Sequence, residues 1–257
     1  MLPPAFLPPA FLHAPIAHRA LHDRSQGRIE NSRAAVRAAV AAGYGIEIDV
    51  QPSSDGVAMV FHDDALDRLT GESGPVRART AAELGAIMLT DGDEGIPTLA
   101  EVLAIVAGQV PLLIEIKDQS HVLGPVDGGL ERAVARELAE YQGPVAVMSF
   151  NPHSIAAMAE AAPELARGLV TCAFTNEEAL RLPQEHRAAL AAIADFDRVG
   201  ASFISHLATD LAMARVAELK AQGTPVLCWT IRSPEAEAEA RKIADNITFE
   251  GYAAAIP

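Results

Sequence analysis

The chain has 257 residues, half of them hydrophobic, with a formal net charge of −14 at pH 7. That is enough apolar material for one large core, and single α/β barrels commonly run to about 250 residues. An acidic balance of this size excludes nucleic acid and anionic membrane surfaces as standing partners, so an anionic substrate needs a local positive site.

The chain opens on a tandem repeat, PPAFL followed by PPAFL, at residues 3–12. Paired prolines favour an extended polyproline-like arm over residues 1–13, with Phe6 and Phe11 as anchors. The arm either lies on its own domain as an ordered tail, which is the preferred reading, or reaches a second subunit of a homo-oligomer. Strand 14–18 and helix 31–42 follow, the helix preceded by Asn31-Ser32 and closed by Gly43. Strand 45–51 leads into residues 52–97, which hold a short strand at 57–62 and are too long for an ordinary βα loop. Helix 98–107, opened by a Thr98–Glu101 capping box, precedes strand 110–117. Helix 128–141, strand 144–150, helix 152–162, strand 167–173 and helix 177–194 come next. Strand 200–205, helix 208–222 with Gly223 beyond it, strand 225–230, helix 233–244 opened by Ser233-Pro234, and strand 246–249 complete the chain.

Near-continuous apolar strands separated by helices predict a parallel sheet covered by helices. Eight of them favour a closed (β/α)8 TIM barrel over an open doubly wound sheet, and no G-x-G-x-x-G follows the first strand. With no linker or break in composition, one domain spanning 1–257 is expected, residues 52–97 forming a small insertion above the C-terminal mouth of the barrel. Cys172 and Cys228 lie in separate apolar runs and read as buried free thiols of a reducing compartment. The N-terminus has no basic leader, and no apolar run reaches the roughly 18 residues of a spanning helix. The expected location is the cytoplasm, without stable membrane association.

Ionisable residues recur at the strand ends. His18 and Arg19 end the first strand, Glu47 and Asp49 share one face of the second, and His62 ends the inserted strand. Glu115 and Lys117 repeat the two-residue spacing on the next barrel strand, and Trp229 lies near the end of the seventh. Glu47 and Asp49 alone fit an exposed strand face equally well, and a lone His18 fits a structural histidine. Together with Glu115 at one mouth, three carboxylates demand a counter-charge, and a hard divalent cation, Ca2+ or Mg2+, suits an all-oxygen set. Arg19 and Lys117 supply positive charge for a phosphate, although Lys117 also suits a structural pair with Glu115 or Asp49. Two histidines suit proton transfer to and from the oxygens of a phosphodiester. Trp229 divides evenly between core filling and a substrate wall. His13, His22, His121, His153, His186 and His206 read as structural or surface residues, and Glu30 and Asn31 either open the first helix or hold the loop before it.

These residues resemble the glycerophosphodiester phosphodiesterases over almost the whole chain. HRA at 18–20, ENS at 30–32, IEIDVQPSSDGVAMVFHDDALDRLT from residue 46, then LLIEIK, SFN and CWT are similar to the family's motifs and follow in its order. The resemblance implies a (β/α)8 barrel with a small insertion after strand two. It implies a metal on Glu47, Asp49 and Glu115, His18 and His62 as the acid–base pair, and phosphate on Arg19 and Lys117. It also implies attack by the substrate's own neighbouring hydroxyl, giving a cyclic phosphate that water then opens. The sequence departs from the family pattern at Ala20, where glycine is usual, at Arg232 in place of asparagine, and at Phe249-Glu250 in place of Thr-Asp. The last two bear on the alcohol side of the pocket. The expected function is metal-dependent hydrolysis of a small glycerophosphodiester. The alternatives are a lysophospholipase D or phospholipase-like activity, favoured by an apolar approach to the mouth, and a barrel that binds a phosphorylated ligand with little turnover.

Overall fold

The computed structural model describes residues 6–177 and 179–257. Residues 1–5 of the arm and residue 178 of the expected helix 177–194 lie outside the described residues.

Eight strands are buried almost throughout, as strands covered on both faces must be. They are β1 (Ile16–Ala17), β2 (Gly45–Pro52), β4 (Leu112–Ile116), β5 (Val145–Ser149), β6 (Ala166–Thr171), β7 (Phe203–Leu207), β8 (Val226–Ile231) and β9 (Asn246–Phe249). They run in the order β1-β9-β8-β7-β6-β5-β4-β2, and β1 also pairs with β2, so the sheet closes on itself as a TIM barrel of eight parallel strands. The closure is short: Ile16 lies opposite Gly45 and Thr248, and Ala17 opposite Ile46 and Phe249. A further strand, β3 (Ala58–Val60), runs antiparallel to the end of β2 and stays outside the barrel.

The helices carry the expected local signals. Ser32 caps α1 (Arg33–Ala42) by accepting from the Ala35 amide, and Gly43 closes it at φ +77°. Thr98 and Glu101 form a reciprocal capping box on α3 (Leu99–Val106). An equivalent box, Thr80 with Glu83, opens α2 (Ala81–Ala86), a helix within the insertion that periodicity did not predict. α4 (Gly129–Leu138) and α5 (Pro152–Ala161) match their expected positions closely. The long expectations at 177–194 and 208–222 resolve into shorter pieces. A 3-10 turn at Ala179–Arg181 precedes α6 (Gln184–Ala191), and another at Ala208–Asp210 precedes α7 (Ala214–Ala221). Pro183 explains the first break, since proline cannot donate into a helix interior but fits just outside its start. Ser233 caps the last helix, α8 (Pro234–Ala240). Among the described residues no helix is long and apolar enough to cross a membrane.

The packing leaves one end of the barrel for polar residues. Ile46, Ile48, Ile114, Val147 and Ile204 point outward and pack with Val36, Val102 and Leu219 of the helices. Inside, Ile16, Leu113, Ala146, Phe203 and Leu227 join Leu7 and Phe11 of the arm, which plug the floor. Asn246 Nδ2 ties that plug down by donating to the carbonyls of Phe11 (2.7 Å) and Ala14 (2.8 Å). The described part of the arm therefore lies against its own barrel, but Phe6 is no anchor: it is 88% exposed, and Leu7 joins Phe11 in the floor instead. The insertion has a small core of its own, built from Met59, Phe61, Leu66, Leu84 and Ile96.

Candidate active site

Glu47, Asp49 and Glu115 meet at the C-terminal mouth because β2 and β4 are paired in register, Asp49 opposite Glu115. Each offers a carboxylate oxygen, and these atoms lie within 4.8 Å of one another. All three residues are buried. Burial, with Asp49 and Glu115 as like charges close by, pushes the Glu47 carboxyl well above the usual carboxylate range. Burial works against Asp49 too, but Lys117, His62 and Arg19, with a hydrogen bond from Asn31, outweigh it and hold that carboxyl low. The donor set therefore demands more positive charge than the side chains supply, and its all-oxygen chemistry fits a hard divalent cation.

Two neighbouring segments hold this cluster in place. The Arg19 amide donates to Glu47 Oε2 (2.8 Å), and the Ala20 amide donates to the Glu47 carbonyl (2.9 Å). Asn31 clamps Asp49 from both sides, Nδ2 donating to Oδ2 (2.9 Å) and Oδ1 accepting from the Asp49 amide (3.2 Å). Lys117 Nζ lies 2.8 Å from Glu115 Oε1 and 3.4 Å from Asp49 Oδ1. Burial pulls its ammonium down, yet Glu115 and Asp49 together keep it above the ordinary lysine range. Arg19 Nη1 donates to Glu30 (2.6 Å), while its Nε is buried, 3.7 Å from Asp49, with no hydrogen-bond partner among the described residues.

Both histidines stand at this mouth, each held at Nδ1 by a carboxylate. His18 Nδ1 is 2.5 Å from Glu250 Oε2, and His62 Nδ1 is 2.6 Å from Asp63 Oδ1. Nε2 is then the nitrogen left to a substrate. Asp63 is in turn gripped by Arg68, whose Nε and Nη2 donate to its two oxygens while Nη1 and Nη2 donate to Glu30. Burial opposes ionisation of Asp63, but the bonds from His62 and Arg68 hold its carboxyl far below the usual range. Gln51 Nε2 donates to the His62 carbonyl and to Asp64, and Gln51 Oε1 accepts from Gln119 Nε2, which fixes the His62 loop to the ends of β2 and β4. Trp229 stands across the mouth, its indole N–H donating to the Ser205 carbonyl (3.0 Å) and its ring edge-on to Phe150.

With this geometry in place, comparison with known proteins is decisive. A sequence profile of the glycerophosphoryl diester phosphodiesterase family matches residues 18–247. The chain belongs to this family. A glycerophosphodiester phosphodiesterase of Caldanaerobacter subterraneus subsp. tengcongensis is 34% identical over 164 residues, 60% of this chain and 65% of that relative. The alignment thus spans just under two thirds of the relative's length. Among solved structures, a phosphodiesterase of Oleispira antarctica in complex with the product sn-glycerol-3-phosphate superposes with a TM-score of 0.74 at 25% identity, over 94% of each chain. The glycerophosphodiester phosphodiesterase of Thermotoga maritima shares the fold, with a TM-score of 0.68 at 24% identity over 92% of this chain and 94% of that one.

In this glycerophosphodiester phosphodiesterase fold, His18, Arg19, Glu47, Asp49, His62, Glu115, Lys117 and Trp229 all come together at one mouth. Sequence reasoning reached only part of the layer behind them, offering Glu30 and Asn31 either the start of the first helix or the loop before it. Glu30 and Asn31 do not cap the first helix, which is Ser32's task; they hold Arg19 and Asp49. Arg68 received no role, although it lies in the quoted motif six residues after His62 and bridges Glu30 to Asp63. Asp118, the residue after Lys117, accepts from Ser120, Leu123 and Asn151 and folds the loop after β4. Arg232 and Glu250, the two departures on the alcohol side, are in direct contact, and His22 lies 3.6 Å from the same carboxylate.

Proposed function

We propose that the protein hydrolyses a small glycerophosphodiester to glycerol phosphate and an alcohol, with Glu47, Asp49 and Glu115 holding Ca2+ or Mg2+. The observation that carries this reading is the pair of carboxylate-held histidines beside three converging buried carboxylates. The cation, when bound, neutralises developing charge on the phosphoryl oxygens. Arg19 and Lys117 orient the phosphate, and the buried, unpartnered Arg19 Nε is an N–H available to an oxyanion. One histidine takes the proton from the substrate's attacking hydroxyl through Nε2, and the other gives a proton to the departing alkoxide. The roles then exchange as water opens the resulting cyclic phosphate. The setting assigned to this reaction is the cytoplasm, with a water-soluble substrate.

A turnover assay against a panel of glycerophosphodiesters, with and without EDTA, tests this. Metal-dependent release of glycerol phosphate is expected, with kcat falling by roughly 10²- to 10⁴-fold in His18→Ala and in His62→Ala while cation binding persists. Activity that survives chelation, or near-native turnover in either variant, overturns the scheme.

One observation favours a second reading, lysophospholipase D-like action. Phe150, Trp229, Phe174, Leu123 and Leu207 form an apolar cluster beside the mouth, and Val122 and Leu180, on the segments after β4 and β6, are exposed. This wall comes from the ends of β5, β7 and β8 and the loops after β4 and β6 rather than from the insertion. Including a lysophospholipid in the panel separates the two readings: a higher kcat/KM than for glycerophosphocholine selects the lipid.

A further inference from the structure

The structure assigns Glu250 as the positioning residue of His18, with Arg232 as the clamp that keeps Glu250 aimed at the imidazole; this rests on the reading of His18 as a proton-transfer group. β1 contributes only Ile16 and Ala17 to the sheet, so the strand itself holds His18 weakly. Two bonds to the end of β9 make up for this. The His18 amide donates to the Phe249 carbonyl (2.9 Å), and the next residue, Glu250, engages Nδ1 at 2.5 Å. A carboxylate at Nδ1 fixes ring orientation and places the Nδ1 proton, which leaves Nε2 directed to the reacting oxygens.

Arg232 completes the arrangement. Its Nε (2.8 Å) and Nη2 (2.7 Å) both bond Oε1 of Glu250, so Oε2 stays with His18, with His22 Nε2 3.6 Å away. An exposed Arg–Glu pair alone contributes little to stability. Arg232 is indeed two-thirds exposed, but Glu250 is only 20% exposed and sits between the guanidinium and the imidazole. The other histidine has the same construction from unrelated segments: Asp63 at Nδ1 of His62, gripped by Arg68. Two independent copies of His–carboxylate–Arg at one mouth are more than incidental surface pairing. Arginine at 232 and glutamate at 250 thus act as one unit, and neither is a substitution to be understood alone.

The test uses the full chain with a divalent cation and glycerophosphocholine, comparing Glu250→Gln, Glu250→Asp and Arg232→Gln. Glu250→Gln should lower kcat by roughly ten- to a hundred-fold, the size of effect seen when a partner behind a functional side chain is removed. KM and calorimetric cation affinity should stay near native. Glu250→Asp should recover part of kcat, and Arg232→Gln should lose only a few-fold. By proton NMR, the strongly downfield resonance of His18 Nδ1–H should vanish in Glu250→Gln and persist in Arg232→Gln. A kcat within two-fold of native in Glu250→Gln, or a loss of cation affinity parallel to that of kcat, would overturn the assignment. A native protein that turns over no phosphodiester refutes the function instead, and the resonance then still decides whether Glu250 holds His18.

Discussion

Ala20 occupies a backbone position that favours glycine, at φ +65°, directly after Arg19 at φ +52°. The two left-handed residues aim successive amides at Glu47, one at its carboxylate and one at its carbonyl. The conformation costs alanine about 1 kcal/mol, but its methyl is buried, which returns about 0.8 kcal/mol. The near cancellation explains how alanine is tolerated where the family has glycine. Ala20→Gly should therefore change the unfolding free energy by less than about 0.5 kcal/mol in urea titration, while branched Ala20→Val should cost about 2 kcal/mol or more. Close spacing made Glu47, Asp49 and His62 legible in the sequence. The His18–Glu250 contact was not, because its partners are 232 residues apart and meet only where the barrel closes.

The arm shows what patterning can and cannot settle about an element. Its repeat presents Phe6 and Phe11 as equivalents, yet Phe11 is wholly buried on the barrel floor and Phe6 is 88% exposed. Phe11→Ala should cost about 3–5 kcal/mol, as truncation of a buried phenylalanine does, and Phe6→Ala should fall within about 0.5 kcal/mol of native. Equal losses in thermal unfolding would mean that the floor is plugged in some other way. The barrel strands were legible because burial on both faces leaves an uninterrupted apolar run. The helices of the second half were read too long because alanine-rich sequence continues the helical pattern through segments that tertiary packing turns into 3-10 turns. α2 escaped notice for the opposite reason: its six residues are too few to show a period within a polar segment.

At the scale of the molecule, the arm closes one end of the barrel and charge gathers at the other. The hydrogen bond with His18, with His22 3.6 Å away and the charge of Arg232, holds Glu250 far below the ordinary carboxylate range; His62 and Arg68 do the same to Asp63 against its burial. Both carboxyls bind protons less readily folded than unfolded. Their stabilisation is therefore complete above the unfolded value, near pH 4, and is lost as the pH falls below it. Urea midpoints should hold between pH 7 and 5 and drop steeply below pH 4, less steeply in Glu250→Gln. Glu47 pulls the other way, since it is buried with two like charges beside it. A cation that binds only the folded chain adds stability of RT ln(1 + [L]/Kd), about 2.7 kcal/mol at a hundred-fold excess over Kd. In a chain of this size that corresponds to a rise in melting temperature of roughly 5–10 °C. Saturating Ca2+ or Mg2+ should produce such a rise, EDTA should reverse it, and Glu47→Ala should melt at the same temperature with or without the ion. A native protein indifferent to both cations would remove the metal from the mouth of this barrel, and would leave Lys117 and Arg19 as the counter-charges to the three carboxylates.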